Sequence, residues 1–167
     1  MKTKTINLYQ FNELSDKAKE KAIEKLSTIN VDFDWWDSTY EDASNIKLKL
    51  TGFDLDRANY CKGEFMESAA ETAELIKVSH GNECETYNTA KTFLNDLEAL
   101  TSQNGRIEQT VEEEIEDLED EFLKSLLEDY KIILNKEYEY LTSEEIIIDT
   151  IEANEYYFTD DGTLTAE

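Results

Sequence analysis

Apolar side chains recur along this chain at two different spacings, and each change of spacing marks an element. "TINLYQF" alternates apolar and polar residues, which predicts a strand over Thr5 to Phe11. Ser15 stands as an N-cap before Ala18, Ala22 and Leu26, so a helix is expected to run to about Thr28. A second helix is predicted in "DFDWWDSTYEDASNI", with Trp36, Tyr40 and Ala43 as its stripe and Asn45 at its end. The period then drops to two. Ile46, Leu48 and Leu50 alternate with polar residues through "GFDLD", and "YCKGEF" returns as a partner strand, with the turn at Arg57–Asn59.

Helical spacing resumes after the hairpin. Ser68 and Glu71 have the spacing of a capping box, and their helix is expected to stop at Gly81. Tyr87, Ala90, Leu94 and Leu97 mark another, ending before Asn104-Gly105. Val111, Ile115, Leu118, Phe122, Leu126, Tyr130 and Ile133 step by three or four, one stripe on a helix from about Glu108 to Tyr140. Thr142 and Glu145 repeat the capping pattern ahead of "IIIDTIEAN". In "EYYFTDDGTLTA", Asp161-Gly162 between two strand-like runs signals a hairpin. The expected fold is α+β: a small antiparallel sheet, made of the N-terminal strand and two hairpins, packed with several helices. One of those helices is long, acidic and amphipathic. No internal repeat and no Pro-rich linker breaks the chain, so a single domain over residues 1–167 is expected, from which the helix at about 108–140 can protrude.

Composition adds a strong charge to this picture. With 40% hydrophobic and 11% aromatic residues the chain can bury a core, so disorder is not the default. The net charge is -24, far beyond what solubility needs. It is also polarised. Residues 1–50 hold 9 acids and 8 bases, whereas residues 108–167 hold 21 acids and 3 bases. This balance argues against direct nucleic-acid binding, which needs basic patches, and against anionic membrane surfaces. The N-terminus has no apolar h-region and no apolar run approaches spanning length, so a cytosolic protein is expected. Cys61 and Cys84 belong to no CxxC or Cys/His cluster and are expected to be reduced core residues.

The charge concentrates in "EEEIEDLEDEF". Glu112, Glu113, Glu114, Glu116, Asp117, Glu119, Asp120 and Glu121 are the candidate partner-binding residues, and Ile115, Leu118 and Phe122 keep the run in helical register. Ten helical residues span about 15 Å, or about one charge per 1.9 Å, close to the roughly 1.7 Å of duplex DNA. Three readings of the run stay open: a solvated face, a surface for a basic protein, and a divalent-cation site. The last is the weakest, because calcium prefers a loop with carbonyls and a glycine. Trp35-Trp36 lies among Asp32, Asp34 and Asp37. Adjacent helical residues cannot both face a core fully, so two readings stay open: core or core-edge positions for both rings, or one half-exposed ring as a contact anchor, for which Trp35 is the candidate. Asp54 and Asp56 form a lone DxD, and His80 is the single histidine. With no GxSxG, P-loop or GxGxxG, no catalytic residue, metal centre or cofactor is expected, and no enzyme. The long stripe is also able to pair with its own copy as a homodimer.

Four segments carry a resemblance. "LYQFNELSDKAKEKA", "DFDWWDSTYEDA", "LTGFDLDRANYCKGEF" and "IEANEYYFTDDGTL" resemble a family of small phage and prophage proteins that often carry the label of antitoxin. In size and charge the chain is similar to some anti-CRISPR proteins of Cas9-type effectors. The shared motifs are structural, so no functional residue follows from them. The resemblance implies a mobile-element protein acting in the cytoplasm of a bacterial host. Its expected partner is a basic, nucleic-acid-binding protein: a CRISPR nuclease such as Cas9, with a toxin neutralised by direct binding as the alternative.

Overall fold

The computed structural model describes residues 5–102 and 107–165. In chain order its elements are β1 (Tyr9–Gln10), α1 (Asp16–Lys25), α2 (Asp37–Asn45), β2 (Leu48–Asp54), β3 (Tyr60–Phe65), α3 (Ala69–Ser79), α4 (Glu85–Thr101), α5 (Glu108–Leu141), α6 (Glu144–Ala153) and β4 (Tyr157–Phe158), an α+β fold. Where the sequence predicts one domain over 1–167, the contacts gather into two compact units. One combines Met1–Trp35 with Lys136–Glu167, and the other is the continuous stretch Trp36–Asn135. Each has its own apolar core. Asn104-Gly105, before which a helix is expected to end, and Ala166 at the end of the C-terminal run lie outside the described residues.

The strands form two separate antiparallel pairs, β1 with β4 and β2 with β3, rather than one sheet. β1 ends at Gln10, where the Glu13 carboxylate accepts from the Gln10 N–H at 2.8 Å and a 3-10 turn over Phe11–Glu13 begins. β4 spends its pairing on β1, so the C-terminal hairpin reduces to a single bridge, Phe158 with Leu164.

In the unit of the two termini, Ser15 caps α1 as expected, its Oγ accepting from the Ala18 N–H at 3.3 Å. Ala18 and Ala22 pack with Phe11, Ile147, Ile151 and Phe158. The turn after β4 sits directly on α1. Gly162 has φ 78°, and a Cβ there would lie 2.1 Å from the Ala18 carbonyl oxygen. Asp161 beside it accepts from Lys21, Thr159 and Thr163, which hold its carboxyl far below the usual carboxylate range. The expected Thr142/Glu145 capping box does not form. Thr142 Oγ1 instead donates back to the Tyr138 carbonyl at 2.7 Å, closing α5, and Ser143 precedes the first turn of α6.

In the continuous unit the alternating pattern is realised: Ile46, Leu48 and Leu50 are all buried. Ser68 Oγ accepts from the Glu71 N–H at 3.2 Å and starts α3. From α5, Phe122, Leu126 and Tyr130 enter the core. The next buried position is Leu134, four residues on, and not Ile133, which is 37% exposed. Gly63 lets α5 approach the hairpin, since a Cβ there would come within 3.0 Å of Leu127 Cδ2 and 2.7 Å of the Lys49 carbonyl. Cys61 packs against this core, and burial pushes its thiol up to about 11. Cys84 departs from the sequence expectation: it is exposed, at the position before α4, outside either apolar core.

Candidate functional site

The eight acids of the candidate surface fall on one helix, in the N-terminal half of α5. Glu112, Glu113, Glu116, Asp117, Asp120 and Glu121 are exposed, while Glu114 and Glu119 are half-buried. The helix survives this charge because its apolar side is held. Val111, Ile115 and Leu118 are half-buried, and Phe122 is 3% exposed. Phe122 stacks on Phe93 of α4, with centroids 4.3 Å apart at 11°, and on Phe65 of β3 at 5.6 Å. The acidic run therefore ends on a three-ring aromatic stack. Of the stripe considered for pairing two copies, Phe122, Leu126 and Tyr130 are already taken up by this core.

Beside the run, α4 and α5 enclose a groove of about 320 Å³. Leu118, Phe93 and Phe122 form its apolar lining. Asp96 from α4 and Glu121 from α5 are its only charged residues among the described ones. Thr89, Thr92 and Ser125 add hydroxyls. The Thr89 hydroxyl is fixed by donating to Asp129 Oδ2 at 2.6 Å. Asp129 titrates higher than an ordinary carboxyl, chiefly because it is desolvated. The sequence reading missed this groove, because the α4 stripe was drawn through Leu94 and Leu97, which are half-buried, whereas Phe93 is the buried ring. The signal available was the spacing Thr89, Phe93, Asp96, which puts a hydroxyl, a ring and a carboxylate on one helical face.

Trp35 takes the core position of its two readings, not that of the contact anchor. It is 8% exposed and packs on Tyr138, centroids 5.6 Å apart, so it is a core ring of the unit of the two termini. Trp36 is the half-buried ring of the pair and meets Phe53 edge-on at 5.4 Å. The DxD carboxylates do not share a strand face. Asp54 Oδ1 accepts from the Asp56 N–H at 2.8 Å, which shapes the turn between β2 and β3.

His80 joins a part-buried polar network that sequence spacing did not show. Its Nδ1 is 2.7 Å from Thr86 Oγ1, and its Nε2 is 3.6 Å from Asp42 Oδ1. Tyr130 donates to Asp42 Oδ2 at 2.7 Å. His80 and then Tyr130 hold the Asp42 carboxyl below its ordinary range, while burial and Asp42 push the Tyr130 hydroxyl well above its own. A hydroxyl, an imidazole and a carboxylate in line are the parts of an activated nucleophile. Here Thr86 is 3% exposed, so the network serves to tie α2, α4 and α5 to the C-terminal end of α3, where His80 is the cap.

Among the described residues no group of three or more His, Cys, Asp or Glu is placed to hold a metal ion. No helix among them is long and apolar enough to cross a membrane. No known family model, curated protein or solved structure matches the chain.

Proposed function

We propose that this is a phage or mobile-element accessory protein that inhibits a basic, nucleic-acid-binding host protein by presenting α5 as an acidic, DNA-like surface. The most concrete target is a CRISPR nuclease such as Cas9. The observation that carries this reading is the display of six exposed carboxylates within residues 112–121 on a helix held by buried rings. Eight charges over about 15 Å of helix approach the charge density that a DNA-reading groove is built to receive. Effectors of this class expose lysine and arginine channels for DNA. A rigid acidic helix enters such a channel without the ordering entropy a flexible acidic tail would lose. The long-range field steers association, so the on-rate falls steeply with salt. The resemblance of the chain to small phage and prophage proteins fits the same role.

The test is a DNA-binding and cleavage assay with a purified Cas9-type nuclease. The wild-type chain is expected to block target binding. The variant with Glu112, Glu113, Glu116 and Asp117 changed to Lys is expected to lose that block while keeping its helical circular dichroism. A wild-type chain that leaves target binding intact refutes the inhibitor reading for that nuclease. Inhibition that persists in the reversed variant removes α5 as the contact surface.

A further inference from the structure

We propose that the groove between α4 and α5 is the seat of an arginine side chain from the basic partner. This rests on the reading of α5 as a partner surface and adds the point at which the partner is held. The groove measures about 320 Å³, at the small end of ligand sites, which suits one long side chain better than a nucleotide or a folded segment. Its floor is apolar, formed by Phe93, Phe122 and Leu118, and takes the alkyl stem of a long cationic residue. Its charged lining is wholly negative, one carboxylate from each helix, Asp96 and Glu121. Glu121 is also the last acid of the exposed run. A cation drawn along the helix by the field therefore arrives at a groove where an apolar lining and two carboxylates come together.

Arginine fits better than lysine for two reasons. The guanidinium carries five N–H donors in a planar fork and no acceptor, and the groove offers two carboxylates and several hydroxyl oxygens on facing walls. It is also less strongly hydrated than an ammonium, so it loses less on entering a half-apolar site. Interface anchors of this kind are enriched in arginine.

The test titrates the full chain with a blocked nine-residue arginine peptide and its lysine counterpart, followed by calorimetry. The wild type is expected to bind the arginine peptide about tenfold more tightly than the lysine peptide. The double variant Asp96→Asn/Glu121→Gln is expected to lose about tenfold in affinity for the arginine peptide and most of the preference. The double variant Glu112→Gln/Glu113→Gln removes the same charge outside the groove, and is expected to lose only about two- to threefold with the preference intact. Ser125→Trp, at an exposed position, fills the groove without changing charge and is expected to abolish the preference. If Ser125→Trp disturbs the fold, the comparison of the two charge pairs decides alone. Equal affinity for both peptides, or equal losses from the two charge pairs, overturns the groove as an arginine seat and leaves the acidic surface standing. Absence of binding by either peptide at low salt overturns the surface reading and the groove together.

Discussion

Replacing Glu116 with lysine should make the protein more stable. Glu116 is exposed in the third turn of α5, past the first turn where the helix dipole favours acids. Glu112 and Asp120 lie one turn before and after it, at i,i+4, and Glu113 and Glu119 at i,i+3. Each like-charge i,i+4 pair opposes the helix by about 0.2–0.5 kcal/mol, and each opposite-charge pair supports it by a similar amount. Glu116→Lys reverses two such pairs, a swing of about 1–2 kcal/mol, with the i,i+3 neighbours acting in the same direction. The gain should appear in urea unfolding followed by far-ultraviolet circular dichroism at low salt, with a rise of several degrees in the thermal midpoint. In about 0.5 M salt the Debye length shrinks to about 4 Å, below the spacing of these side chains, and the gain should fall by more than half. An unchanged or lowered midpoint at low salt would show that the carboxylates are not in mutual tension. If the gain is real, and inhibition or peptide binding weakens alongside it, the run is held for use at the expense of stability. A solvated face gives the same stabilisation with binding unaltered.

Two further changes test the packing described above. Tyr130→Phe removes the donor to Asp42 and should cost about 1–2 kcal/mol at pH 7, at the lower end for a bond to a charged group because the Asp42 side chain is 51% exposed. The native Asp42 carboxyl titrates below its unfolded value, so its contribution is present above the unfolded value and lost as pH falls through the native one; the gap between wild type and variant should close on acidification, and a gap constant down to pH ~2 would refute this assignment. Gly162→Ala puts a methyl group against the Ala18 carbonyl in a left-handed backbone and should lower stability by more than about 1 kcal/mol, with an unchanged thermal midpoint counting against the turn geometry.

Much of the helical framework was legible because amphipathic spacing and caps are local signals. Ser15 and Ser68 cap where they were expected to, and the long helix runs Glu108–Leu141 against an expectation of about Glu108 to Tyr140. The β2–β3 hairpin was legible for the same reason, since Leu48 and Leu50 alternate inward. What failed was set by distant partners or by competing bonds. β1 pairs with β4 across almost the whole chain, and no periodicity records which strands meet. With no proline and few glycines, chain reversals fall on residues that carry no turn signal, such as Lys47 with φ 63° and Glu155 with φ 53°. At the site, the acids could be named from sequence, but the groove needed two helices brought face to face. The Asp42–His80–Tyr130 contacts likewise join positions far apart in sequence, which no spacing rule connects.

The division of the chain also has a consequence for how it emerges from the ribosome. The unit Trp36–Asn135 is continuous, so all its parts have been synthesised before the last segment appears. The unit of the two termini is not: Lys21 and Asp161, which pair in it, are 140 positions apart. At about 5–20 residues per second, the N-terminal segment waits roughly 7–28 s for the strand and turn that complete it. During that interval Phe11 and Leu14 have no C-terminal core to enter. Truncation before Ile147 would prolong this wait indefinitely, leaving a chain with one finished unit and one apolar segment for proteases to find.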